Sequence, residues 1–441
     1  MELYEMVQLA VEQIDTADQN RFVDGPDANL NIIIDAIIEE VTEDHDDFNI
    51  SHEGLRSRVR GILSEIDESN QNPVSSFHEN FETMLGNIES DQSDITVYFP
   101  VNFMYREGSV FSLPTTTFNV TFEKVSDEEW DQYVEYTDED SFYQNFVEDL
   151  PIRPPHTSPF STQQFWKSTI SAVDEQFAVD TVSSALSILL GKITLASNLQ
   201  QLTATINSSS WNQGQALLRE PLGYFTMVGG VPSGVFSDGD YDPREAYRLG
   251  PGRRSRFNDV YLDLPDFNSP NSEIETHLMT GFSAFFSAMT EPSNNQALLN
   301  YWRCLEAITF TADQNYASDE ALWRAQSVAW SEPHEIADVT IERLSKKRNR
   351  LVHRGGPVSV EENDLIILKR FAEGALIFVV ERKDELPLED LNFIFEYASK
   401  TEDSLSQAKS YREGEIQNSA SKIEKWEHEI TLINNIINRD V

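Results

Sequence analysis

Cysteine is all but absent: Cys304 is the only one in 441 residues. A single thiol excludes an intrachain disulfide and any zinc site built on several cysteines. Within Tyr301-Trp302-Arg303-Cys304-Leu305 it is expected to be a small buried hydrophobe. Positive charge is scarce too. Lys and Arg total 33 against 75 Asp and Glu, the formal net charge is -42, and the first lysine is Lys124. No apolar run approaches the roughly 20 residues that span a bilayer. The start, Met1-Glu2-Leu3-Tyr4-Glu5, lacks the basic stretch of a secretory signal. These absences predict a soluble, cytoplasmic protein. Common catalytic signatures are missing as well. There is no His-x-x-x-His and no Gly-x-Ser-x-Gly, and Gly191-Lys192 has no Gly-rich turn before it. The run from Gly229 to Val235 could cradle a phosphate but reads better as an ordinary loop.

What is present is enough apolar material to fold. Hydrophobic residues make up 39 % and aromatics 11 %, so two or three domains with sizeable cores are expected. The acidity runs over the whole length. That spread resembles cytoplasmic proteins of salt-accumulating (halophilic) microbes, whose carboxylates keep a chain soluble while molar salt screens their repulsion. A mimic of nucleic acid would instead gather its charge on one face. Phosphate contacts weaken as salt rises, so a nucleic-acid site here should lean on shape, stacking and hydrogen bonds. The cluster Glu43-Asp44-His45-Asp46-Asp47 could suggest a metal site, but a solvated loop fits so acidic a chain better.

Periodicity divides the chain into four stretches. Residues 1–160 form a helical and β region of unknown role. Leu30–Ile38 and Gly54–Ile66 read as helices, and Ile95–Phe99 and Thr117–Phe122 as strands. Pro151, Pro154, Pro155 and Pro159 mark a linker. Residues 161–270 begin with helix over 161–205 and continue as Gly- and Pro-punctuated chain. There Arg244, Arg248, Arg253, Arg254 and Arg256 alternate with Tyr247, Phe257 and Tyr261 around the loop Gly250-Pro251-Gly252. Arg and aromatics on a loop suit single-stranded nucleic acid, and internal salt bridges are the alternative. Residues 271–385 are all helical, with helices near 273–290, 294–312, 319–330, 335–353 and 361–382. Residues 386–441 end in one polar helix over about 400–438, striped by Ile416, Ile423, Trp426, Ile430, Ile433 and Ile437 for packing or oligomerisation. The fold class is mainly α with a minor β region in an α+β N-terminal part.

One segment departs sharply from the acidic background. Glu342 to Gly356 carries six Lys and Arg side chains and a single carboxylate. On a helix, Ile341, Leu344, Leu351 and Val352 make its apolar stripe, and Arg348 falls on that stripe. A guanidinium aimed at a core seam is costly unless paired. Glu306 intrudes in the same way on the stripe Leu299, Trp302 and Phe310 of an upstream helix. Two misplaced opposite charges are expected to meet, so a Glu306–Arg348 contact is predicted. Asn349 and His353 lie four apart on a neighbouring face. Gly355-Gly356-Pro357 ends the helix, which leaves His353 in the last turn, where the helix dipole favours positive charge. A histidine beside Arg and Asn donors can do acid–base chemistry on a phosphate ester.

Arg348-Asn349-x3-His353 followed by Gly resembles the R-x4-6-H motif of HEPN domains, particularly the Apea-like group. The preceding Trp302, Leu305 and Glu306 and the following helix from Asp364 to Val380 fit that resemblance, which covers about 272–385. It implies a C-terminal helical bundle that dimerises and brings two Arg/His pairs into one cleft. It also implies a metal-independent endoribonuclease without cofactor, leaving 2′,3′-cyclic phosphate and 5′-OH ends, of the kind used in antiviral defence or as toxins. His353 would then move protons and Arg348 would bind the phosphorane. Asn349 would orient one of them and Glu306 would position Arg348. Lys346, Lys347, Arg350 and Arg354, with Arg253, Arg254 and Arg256, would hold flanking RNA. Many HEPN domains keep the fold without cleavage and serve as nucleic-acid-binding or dimerisation modules, which is the alternative function.

Overall fold

A computed structural model describes residues 3–19, 28–42, 49–66, 73–101, 103–104, 116–117, 119–126, 128–130, 164–202, 218, 220–221, 223–237, 247–248, 254–267, 272–312, 317, 319–329, 334–354, 358–398, 400, 402–418 and 423–438. Four helices open the chain: α1 (Leu3–Gln19), α2 (Ala28–Thr42), α3 (His52–Ser64) and α4 (Pro73–Asp91). Each turns an apolar face inward, and Val7, Ala10, Ile34, Ile37, Val59, Leu63, Phe77 and Phe81 form a core of their own. Ser51 starts α3 by accepting a hydrogen bond from the Gly54 N–H at 3.0 Å. The acidic run 43–47 and the proline-rich linker lie outside the described residues.

An antiparallel sheet follows, in the order β5-β6-β1-β7-β8. Its strands are β1 (Ser93–Val101), β5 (Glu123–Lys124), β6 (Gln164–Ala172), β7 (Gly223–Val228) and β8 (Val231–Ser237), and the strand expected at Ile95–Phe99 is its centre. Strands β1 and β6 pair over nine positions, from Ser93↔Ala172 to Val101↔Gln164. The helix expected over 161–205 is therefore corrected. Its first part is strand, and the helix α5 runs Glu175–Leu202. The sheet also joins chain from both sides of the boundary expected at 160. The strand expected at Thr117–Phe122 is two short ones, β3 (Thr116–Thr117) and β4 (Val120–Thr121), turning at Asn119 with φ 60°. Gly229 and Gly230, at φ 59° and 83°, form the two-residue turn of the β7–β8 hairpin, where both central residues need positive φ. The candidate phosphate cradle is thus a turn and a paired strand.

Helix α5 packs on β1 and β6 and is buried over most of its surface. Its window from Glu175 to Asn198 is long and apolar enough to cross a membrane, contrary to expectation, but 72 % of that window is buried in the protein, as a core helix requires. Against α5 pack α6 (Arg254–Asp263) and α7 (Glu273–Thr290). A Cβ at Gly191 would lie 2.3 Å from the Phe282 carbonyl oxygen, so glycine permits the α5–α7 approach. Beyond α7 come α8 (Asn294–Ile308), α9 (Glu320–Ala329), α10 (His334–Arg354) and α11 (Glu362–Arg382), close to the expected spans. Helix α12 (Leu388–Ala398) was not expected. The single C-terminal helix is corrected to two, α13 (Glu402–Asn418) and α14 (Ile423–Asn438). They pack on each other through the Arg412–Glu429 ion pair and Lys409 Nζ donating to Asn434 Oδ1 at 2.8 Å. Ile433 of α14 is buried with Tyr397 of α12 and Leu405 of α13.

Candidate functional site

The site begins at the end of α8. This helix is wedged between α7 and α11 and buries Leu298, Tyr301, Trp302, Cys304, Leu305 and Ile308. Burial pushes the Cys304 thiol pKa up, as expected of an inert core cysteine. Glu306 sits in the last turn. Its carbonyl accepts the Thr311 N–H at 2.9 Å, and the Ala307 carbonyl accepts the Phe310 N–H at 3.3 Å. That closure needs a left-handed residue, and Phe310 supplies it at φ 57° where glycine is usual. The strain, of order 1 kcal/mol, is offset by burial of the phenyl ring. The backbone of Glu306 is therefore fixed on a rigid element.

Its carboxylate meets α10. Arg348 Nη2 lies 3.4 Å from Glu306 Oε1, with the two side chains 22 % and 30 % exposed. The contact expected from two misplaced charges is present. At such exposure an ion pair contributes at most about 1 kcal/mol, so it matters for placement more than for stability. The Arg348 guanidinium also lies 5.8 Å from the Trp302 ring, and its Nη1 donates to Asn349 Oδ1 at 3.3 Å. The Trp302 indole N–H is near Glu306 without forming a good hydrogen bond. Burial raises the Glu306 pKa above the usual carboxylate range, and Arg348, Trp302 and Arg303 oppose it. Glu306 thus takes a proton more readily than a free glutamate.

Helix α10 buries Ala337, Ile341, Leu344 and Ser345. Leu351 is half-buried, and Val352, expected on the apolar stripe, is 50 % exposed. His353 is exposed on the last turn, and no hydrogen bond to another described residue holds its ring. The helix ends at Arg354, whose side chain is outside the described residues, as is Gly355-Gly356-Pro357.

The other basic residues divide by partner. Arg350 is exposed, and Lys346 is exposed and paired with Glu342. Lys347 is committed inside the protein, donating to Asp364 Oδ2 at 2.6 Å and to the Ser359 carbonyl at 2.7 Å. Arg303 was missed from sequence. It is exposed on α8, one turn before Glu306 and within its electrostatic reach, and no ion pair with another described residue engages it. Its position beside Trp302 was the available signal.

The second basic island is described only in part: Arg244 and the loop Gly250-Pro251-Gly252 lie outside the described residues. Tyr247 and Arg248 form strand β9, paired with β2 (Phe103–Met104), and Arg254 and Arg256 lie in the first turn of α6. Arg253 and the side chains of Arg254 and Arg256 are outside the described residues. Phe257 and Tyr261 are fully buried against the core, so these two aromatics are structural, and the side chain of Tyr247 lies outside the described residues. Helix α6 packs on α5, and α10 packs on α8 and α9.

Glu306, Arg348 and Asn349 thus meet where α8 and α10 converge, and His353 and Arg350 extend the site into solvent. Such a set can bind an oxyanion through Arg348 and exchange a proton through His353. Among the described residues no three His, Cys, Asp or Glu side chains gather as a metal site. Comparison of the chain with protein-family models, with curated proteins and with solved structures gave no match in any of the three.

Proposed function

We propose that this protein is a cytoplasmic, HEPN-like, metal-independent endoribonuclease acting as a homodimer, with a role in antiviral defence or as a toxin. The observation that carries the proposal is the Glu306–Arg348 contact at 3.4 Å, with Asn349 on the same guanidinium and His353 exposed at the end of the same helix. In the reaction the 2′-oxygen of a ribose attacks the adjacent phosphorus and the 5′-oxygen leaves. One imidazole takes the 2′-OH proton and a second, from the partner subunit, returns a proton to the leaving oxygen. Arg348 binds the phosphorane charge, Glu306 and Asn349 hold Arg348, and Arg350 contacts a flanking phosphate. The products are a 2′,3′-cyclic phosphate and a 5′-OH.

One observation favours a non-catalytic RNA-binding module instead: His353 has no described partner to orient its ring, which a general base ordinarily needs. Cleavage of RNA in molar KCl with EDTA distinguishes the two. The nuclease assignment expects cleavage by the wild type and loss of at least about 100-fold in both His353→Ala and Arg348→Ala. RNA binding without cleavage by the folded wild type favours the module.

A further inference from the structure

Asp364 is a charged group with no surface exposure and no part in the chemistry above. It lies in the first turn of α11, where an acid usually stays solvated and stabilises the helix end weakly. Here it turns back onto α10. Oδ1 is 2.6 Å from Arg343 Nη2, and Oδ2 accepts from Lys347 Nζ at 2.6 Å and from the Glu361 N–H at 2.8 Å. Lys347 reaches further to the Ser359 carbonyl, so the chain on both sides of 355–357 is tied together. Arg343 and Lys347 are one turn apart. The Arg343 contact is an ion pair without an aligned hydrogen bond, and Lys347 is held by one. Each residue step rotates a helix by about 100°, so two residues one turn apart that both meet Asp364 set its rotation. Lys347 directly precedes Arg348. Among its described residues α10 buries four and packs Leu351 partly on the core, and the buried Asp364 carboxylate between two cations adds a hold on one line of the helix.

We infer that Asp364 is a positioning residue: it sets the rotation of α10 so that Arg348 meets Glu306 while Arg350 and His353 face the solvent. Its part in cleavage rests on the ribonuclease assignment above. A direct corollary is that Lys347 serves the latch and does not contact substrate.

The test uses the full chain in molar KCl with EDTA and the variants Asp364→Asn, Asp364→Ala and Asp364→Glu. Amide exchange and RNA cleavage are measured on each. Exchange at 343–354 should quicken by about tenfold or more in the Asn and Ala variants while α8 keeps its rates. Their kcat should fall about tenfold or more with KM changed less than about threefold, and Asp364→Glu should recover most of both. Should the Ala variant not fold, the isosteric Asn variant carries the test. Unchanged exchange in α10 overturns the inference. Uniformly faster exchange across α8, α10 and α11 also overturns it, because Asp364 would then be a general stabiliser. A folded wild type that cleaves no RNA contradicts the ribonuclease assignment instead. Exchange alone then decides for Asp364, with selective loosening of α10 upholding it and no change refuting it.

Discussion

Helix α8 reaches the site from inside the core, whereas α10 reaches it from the rim. Along α8 the buried side chains face two neighbouring helices, and Glu306 is locked by the turn at Phe310. Along α10 four described residues are buried and Leu351 packs partly on the core, and ion pairs to Asp364 and Glu306 add to that hold. Apolar burial of α8 fixes one charge in place. Paired charges on α10 fix its partner and leave a helix end open to solvent. A site divided in this way keeps a rigid floor and places its exposed groups on an element that a ligand can engage.

The difference can be broken most severely on the α8 side. Leu305→Ala, at a fully buried position, should cost about 2–5 kcal/mol in chemical denaturation. A smaller, opposite effect is expected at Lys192 in α5, a nearly buried lysine whose Nζ sits 4.2 Å over the Tyr261 ring. Burial lowers its pKa from 10.5 to about 8, against the attraction of Asp266. Below about pH 8 the lysine is charged in the folded and unfolded chain alike, and burying that charge costs stability in full. Between about 8 and 10.5 the folded chain releases the proton and the cost fades. Lys192→Met should therefore raise stability by about 1–3 kcal/mol at pH 7. Thermal melts at pH 7 and 9.5 should show the gain shrinking at the higher pH.

On the α10 side stability and function should separate. Arg348→Ala should cost at most about 1 kcal/mol in a melt, yet abolish RNA cleavage. Equal loss of both would make Arg348 a structural bridge. The smallest effect is expected at the exposed Lys346–Glu342 pair, one turn apart on α10. Lys346→Ala should leave the melting temperature essentially where it is, most plainly in molar KCl.

The sequence showed best what local patterning controls. The helices at 273–290, 294–308, 320–329, 334–354 and 362–382 follow from apolar stripes and polar starts such as Ser272, whose side chain accepts the Glu275 N–H. The strand Gln164–Ala172 was hidden because both its partners, β1 and β5, lie far earlier in the chain. The C-terminal hairpin was hidden because one stripe serves a straight helix as well as two helices. The Glu306–Arg348 contact was legible because each charge broke its own stripe. Asp364 was not, because an acid in the first turn of a helix looks ordinary until its burial and its two cations are seen. Arginines beside aromatics, as along 244–261, look alike in sequence whether the rings face solvent or, as with Phe257 and Tyr261, the core.

The most direct measurement compares one RNA strand with the same strand carrying 2′-deoxyriboses, in molar KCl with EDTA, and identifies the ends of any product. Attack by the 2′-oxygen expects the RNA to be cut to 2′,3′-cyclic phosphate and 5′-OH ends and the deoxy strand to stay whole. Cleavage of both strands, or RNA products ending in a 3′-OH, would contradict the chemistry assigned to His353 and Arg348.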